Sequence, residues 1–138
     1  MSADQQVVDA LRKVDLFASV GDRALDKLAA RTRRTNHAAG KVVTSEAQEA
    51  VGFHLILEGT AEVLVNGTVV GSLRPGDYFG EISLIDGGPR SATIRATEQL
   101  TTLALPAWDF APLLDEEPLL TKNLLLAMCK RVRAAESR

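Results

Sequence analysis

Two residues in this chain have the types and spacing to grip a small anionic ligand. They are Glu81 and Arg90, in the stretch FGEISLIDGGPRSAT, residues 79–93. An arginine presents a planar fork of donors that fits two oxygens of a phosphate or carboxylate. Arg90 follows Gly87, Gly88 and Pro89, a run that lets backbone pass close to a ligand. GEISLI is apolar, lacks strand alternation and follows directly on Gly80, which predicts a single helical turn. The first N–H groups of such a turn have no helical partner and form an anion seat. A lone phosphate would be repelled by Glu81, so the carboxylate makes sense only opposite a donor, such as a ribose hydroxyl. Phosphate and ribose hydroxyl side by side describe a nucleotide. The residues alone leave a plainer alternative open: Glu81 could serve the helix dipole, and Arg90 could pair with Asp86 at the surface.

The surrounding chain must hold these two groups in place. Residues 4–17 carry Val7, Val8, Leu11 and Val14 at helical spacing, and VGDRALDKLAARTRR repeats the period with Leu25, Leu28 and Ala29, Asp22 being placed to cap it. From about Lys41 the period changes to two. GFHLILEG and TAEVLVNGTVVGSL are strand-like, and Asn66-Gly67 is a strong hairpin signal. Pro75-Gly76 marks another turn. SATIRAT and LTTLALP follow as two more strands, and AWDFAPLLD predicts a short helix after Pro106. A last helix runs over about 118–136, with Pro118 in its first turn and Leu120, Leu124, Ala127, Met128 and Arg131 along one stripe. The order of helices, about eight short strands and helices predicts a mainly β fold with helical ends, an eight-stranded antiparallel β jelly roll or barrel. A single domain, 1–138, is expected: N-terminal helices over 1–36, a β-roll over 40–106 that contains the 79–93 stretch, and C-terminal helices over 107–138.

Bulk properties narrow the function. The chain has 138 residues, 46% hydrophobic and 25% charged, enough for one packed core without disulfides. Its net charge of −2, with only a modest basic cluster near the C-terminus, argues against a protein built to neutralise nucleic-acid backbone. Cys129 is the single cysteine, expected as core filler in a reducing compartment. No secretory leader or membrane span is evident, so a cytoplasmic location is expected. An enzymatic reading fares poorly. Neither His37 nor His54 has a carboxylate or cysteine at metal-ligand spacing, and Glu81 as a general base would need a positioned water and a second acid.

The stretch 79–93 resembles the phosphate-binding cassette of the cyclic nucleotide-binding domain family, F-G-E-(I/L)-(A/S)-L-(I/L), a spacer, then P-R-(S/A/T)-A-(T/S). Phe79 to Ile85 and Pro89 to Thr93 all match, and FHLILEGTAEV and LRPGDYFGE extend the likeness. The resemblance reaches the cyclic AMP domains of bacterial catabolite activator proteins and of protein kinase A regulatory subunits. It implies that Glu81, with Gly80, takes the ribose hydroxyl. It implies too that Arg90 pairs with the cyclic phosphate, and that backbone N–H groups near Gly80, Ile82, Ser83, Ser91 and Ala92 line it. Serine at 91 fits cyclic AMP, with cyclic GMP as the other possibility. The base would rest on Val63, Leu73 and Ile94 under the final helix as a lid. Extended without gaps, the match sets Arg131 near the cassette glutamate, and Ala135 and Glu136 where activator-type members carry base-contacting hydroxyls, an altered and short lid. The expected function is a stand-alone cyclic nucleotide sensor, without other cofactor or metal, that signals through its last helix to an unidentified protein effector. A homodimer through that helix is possible, and neither DNA nor membrane binding is expected. The alternative is a degenerate member that keeps the fold as a protein-interaction module and has lost the ligand.

Overall fold

A computed structural model of the chain describes residues 3–44, 52–81, 85 and 92–137. They group into two compact units, residues 1–30 with 112–138, and residues 31–111.

The first unit is helical. Helix α1, Ala3–Arg12, is followed by a 3-10 turn, Asp15–Phe17, and by α2, Asp22–Arg31. Leu11, Val14, Leu16, Phe17, Val20, Leu25, Leu28 and Ala29 are buried, the stripe that the helical spacing anticipates. Arg12 ties the corner together. Its guanidinium donates to the Val20 carbonyl at 2.6 Å and to Asp22 Oδ1 at 2.5 Å, which holds the end of α1 against the start of α2. Helix α3, Ala107–Glu116, begins in the second unit and ends in the first, and α4 runs Pro118–Glu136 with Pro118 at its first turn. Helix α4 packs on the 3-10 turn, where Asn123 Nδ2 donates to Ser19 Oγ at 2.8 Å.

Helix α4 buries only Leu120 and Leu124, while Leu119, Leu125, Leu126 and Val132 stay exposed. Cys129 is exposed as well, contrary to its expected place in the core. It stands one residue past the half-buried Met128, and ~100° of helix rotation turns it off the stripe.

The second unit is the β-roll. Its strands are β1 Arg33–His37, β2 Val42–Thr44, β3 Gly52–Glu58, β4 Ala61–Val65, β5 Thr68–Leu73, β6 Tyr78–Phe79, β7 Thr93–Ala96 and β8 Leu100–Pro106. They form two antiparallel four-stranded sheets, β1-β8-β3-β6 and β2-β7-β4-β5. This is the expected jelly roll, built as two facing sheets rather than a closed barrel. One expectation is corrected: the helical run to residue 36 ends at Arg31, and residues 33–37 form a strand. The apolar stripe of α2 stops at Ala29, and the backbone of RRTNH finds its partners on β8, from Arg33 opposite Ala104 to His37 opposite Leu100. The hairpin at Asn66-Gly67 is as anticipated. Val65 pairs with Thr68 across a two-residue turn whose residues have φ of +52° and +78°, the backbone that favours Asn-Gly.

Direct cross-strand partners share a face, which separates the two sides of each sheet. The outer face of β3 carries Phe53, stacked on Phe110 of α3 at 5.0 Å and on Tyr78 at 5.4 Å. The interior of the roll holds a cluster of Ile56, Ala61, Phe79, Ile94, Ala96 and Leu100, all buried.

Candidate functional site

Strand β6 ends at Phe79, buried in the interior cluster, and the chain then passes through Gly80 at φ +98°. That left-handed backbone suits glycine, because a Cβ there would crowd its own carbonyl. It turns the strand abruptly, so that Glu81 and Ile85 have helical conformation, in keeping with the expected break after the sheet. Ile85 is exposed, whereas Glu81 is only 2% exposed. A buried carboxylate needs polar partners to be tolerated, so Glu81 is a built-in part of this turn rather than a side chain standing in solvent.

Of the other phosphate candidates, Ala92 is half-buried just before β7. Ile82, Ser83, Arg90 and Ser91 lie outside the described residues.

The three base-contact candidates come together. Val63 on β4 stands opposite Ile94 on β7 and opposite Gly71 on β5, and Ala61 stands opposite Leu73 and Ala96. All therefore share one face. Val63 and Leu73 are partly buried against the cluster that contains Ile94 and Phe79. A partly open apolar wall, beside glycine rather than a second bulky side chain at position 71, suits the face of a flat ring. The other face of the same strands is polar: Arg95 Nε donates to Glu62 Oε1 at 2.6 Å, which keeps this carboxylate off the wall. Arg131, Ala135 and Glu136 lie on α4, in the helical unit, and all three are exposed.

Sequence reasoning set both histidines aside, yet the roll interior contains them. His54 stacks on Phe79 with ring centroids 4.8 Å apart and planes 6° from parallel. Strand alternation was the available signal: His54 is in phase with Ile56, and Thr102 with Leu100, so both point inward.

A family model described as cyclic nucleotide-binding domain matches residues 34–117, more than half of the chain. Over 107 residues, 77% of this chain, it is 37% identical to a cAMP-dependent protein kinase regulatory subunit of Eremothecium gossypii, of which it spans 23%. It is 31% identical over 124 residues, 90% of the chain, to a cyclic nucleotide-gated potassium channel of Mesorhizobium japonicum, of which it spans 34%. Among solved structures, the catabolite activator protein of Thermus thermophilus superposes with a TM-score of 0.77 at 28% identity. That match covers 88% of this chain and 60% of the other. The chain thus spans about a quarter to a third of the length of these curated relatives.

Proposed function

The chain belongs to the cyclic nucleotide-binding domain family, and from that premise we propose that it is a cyclic nucleotide sensor with cyclic AMP as its preferred ligand. The observation that carries this reading is the turn at Gly80 and Glu81, a buried carboxylate two residues past Phe79, whose cluster packs against the partly buried Val63 and Leu73. In the proposed complex Glu81 accepts from the ribose 2′-hydroxyl. Arg90 neutralises the cyclic phosphate with bidentate, charge-assisted bonds, while backbone N–H groups of Ile82, Ser83, Ser91 and Ala92 surround it. The base lies on Val63, Leu73 and Ile94. Cyclic AMP is favoured over cyclic GMP because the kinase-subunit relative is named for it and because Ser91 suits it.

Binding then biases α4, the element assigned as lid, and α4 passes the change to a protein partner. The exposed Leu125, Leu126 and Val132 give α4 apolar surface for such a contact or for a second copy of the chain. The reading is regulatory rather than catalytic, since every chemical role is one of binding. Among the described residues no helix is long and apolar enough to cross a membrane.

Isothermal titration calorimetry with cyclic AMP and cyclic GMP tests the proposal. Saturable heat with cyclic AMP, at lower concentration than with cyclic GMP, is the expected result. No heat and no thermal shift with either nucleotide at about millimolar concentration, ~4 kcal/mol of binding, would reject it. A family fold kept as an interaction module would then be the better description.

A further inference from the structure

One side of helix α4 is left over both by its packing and by its role as lid. At about 100° of rotation per residue, the buried Leu120 and Leu124 mark the packed side. Asn123 stands at the edge of that side and donates to Ser19 Oγ at 2.8 Å. Arg131, assigned to the lid, comes seven residues after Leu124 and so returns to the same side. The opposite side carries two apolar ridges. Leu125, Cys129 and Val132 form one, at spacings of four and three; Leu119 and Leu126, seven apart, form the other. All five residues are exposed, the leucines and the valine by between 54% and 64%.

Cations stand among these ridges. Lys122 and Arg133 fall between the two, and Lys130 borders the second; all three are exposed. Every charged residue of α4 before its final Glu136 is basic: Lys122, Lys130, Arg131 and Arg133. The chain as a whole has a net charge of −2, so α4 runs against its own background. Among the described residues, no ion pair uses Lys122, Lys130 or Arg133.

Those charges decide what the face can receive. A second copy would present the same patch, since a two-fold interface is built from one surface on both subunits. Parallel pairing sets each cation beside its own equivalent. Antiparallel pairing about Leu126 sets Lys122 beside Lys130 and Leu119 beside Arg133. Either way like charges meet and no carboxylate answers them. A helix lying in a membrane surface keeps its cations off its apolar side, whereas Lys122 and Arg133 lie within it. An acidic segment of another protein satisfies both parts of the face: its apolar residues seat on the ridges, and its carboxylates reach the cations between them.

We propose that the outward face of α4 is a docking surface for an acidic, amphipathic helical segment of a partner protein. This names the class of partner for the output element of the reading above. Docking itself needs no nucleotide, and only its regulation rests on that reading. Arg131 and the outward face belong to one helix, so a ligand that moves Arg131 moves the docking face with it.

The test uses the full chain and a fluorescent peptide of about three heptads, with leucine at a and d and glutamate at e and g. The same peptide with lysine for glutamate, and vesicles of phosphatidylglycerol, are the comparison probes. Anisotropy should show saturable binding of the glutamate peptide, at least about tenfold tighter than the lysine peptide and weakened by salt. The bound peptide should protect Cys129, the single cysteine, from alkylation. Lys122→Glu combined with Arg133→Glu should exchange the preference, so that the lysine peptide binds and the glutamate peptide does not. Lys27→Glu, on the exposed side of α2, should change neither. All three side chains are exposed, so the variants keep the fold, which an unchanged Tm checks. Equal binding of the two peptides, binding of neither, or glutamate-peptide binding that leaves Cys129 reactive would overturn the proposal. So would a salt-insensitive homodimer in sedimentation that Leu125→Asn dissolves, which makes a second copy the occupant. Vesicle binding without peptide binding would overturn it in favour of a lipid surface. Cyclic AMP should change the affinity for the glutamate peptide. A chain that binds this peptide but neither nucleotide would reject the sensor reading alone and leave the docking surface standing.

Discussion

Gly59→Ala isolates how tightly the β3–β4 corner is built. Gly59 has φ of +87°, and a Cβ placed on it would lie 2.1 Å from the Gln99 carbonyl oxygen, 3.0 Å from the Gln99 carbonyl carbon and 3.1 Å from Leu100 Cα. All three atoms are backbone at the entry to β8, so no side-chain rotation relieves them. Leu100 belongs to the buried interior cluster, which limits how far that segment can retreat. The left-handed backbone costs alanine ~1–2 kcal/mol, and forced overpacking adds ~1–3 kcal/mol. The sum is a loss of ~2–5 kcal/mol, a large part of the ~5–15 kcal/mol that holds a domain folded. Gly67→Ala is the control. Its φ is +78°, yet a Cβ there would meet nothing within 4 Å, so only the backbone term applies. Thermal unfolding of the ligand-free chain by circular dichroism should show Tm lowered by about 8–20 °C for Gly59→Ala and about 4–8 °C for Gly67→Ala, at ~4 °C per kcal/mol. Equal losses in the two variants would refute the close approach of Gln99.

Arg90→Ala should weaken cyclic AMP binding by ~1.5–3 kcal/mol, the scale of a hydrogen bond to a charged group; an unchanged dissociation constant by calorimetry would place the phosphate elsewhere. Leu124→Ala removes a side chain that is 2% exposed on α4, and urea unfolding should report ~2–5 kcal/mol lost. Exposed Cys129 should react with a thiol reagent in the folded chain about as fast as in the denatured one, with a rate that nucleotide changes if α4 moves. Because the folded state holds His37 below the ordinary value of 6.5, the unfolded chain takes up that proton first. Stability should therefore fall as pH drops below 6.5 toward the folded-state value, and His37→Gln should remove part of that slope in urea titrations.

Local chemistry was legible in the chain because its causes are local. Asn66-Gly67 announces a hairpin, since few residues accept two positive φ values in succession. Pro118 announces the first turn of α4, and FGEISLI with PRSAT carries the resemblance to the family's phosphate-binding cassette. The period-two pattern from Lys41 onward identified the roll, and the match of Val63, Leu73 and Ile94 to one apolar wall follows from the same alternation once the strands are paired.

Where the cause is distant, the sequence was silent or misleading. RRTNH looked like the basic end of a helix, and it is a strand only because β8, some 65 residues later, supplies its hydrogen bonds. Cys129 sits in an apolar run that looked like core, but burial depends on what faces a helix turn, and the packed stripe of α4 stops short of it. His37 and His54 are 17 positions apart and each looked incidental. Folding brings them to opposite ends of a row that runs through Thr35 and Thr102, because β8 lies between β1 and β3. By itself the sequence marked Glu81 and Arg90 as candidates for a ribose hydroxyl and a phosphate, since candidacy follows from side-chain type and short-range backbone preference. Tertiary structure alone decided that Glu81 is buried and that Phe79 is stacked on a histidine at the threshold of the site, since both depend on strands paired across the whole roll.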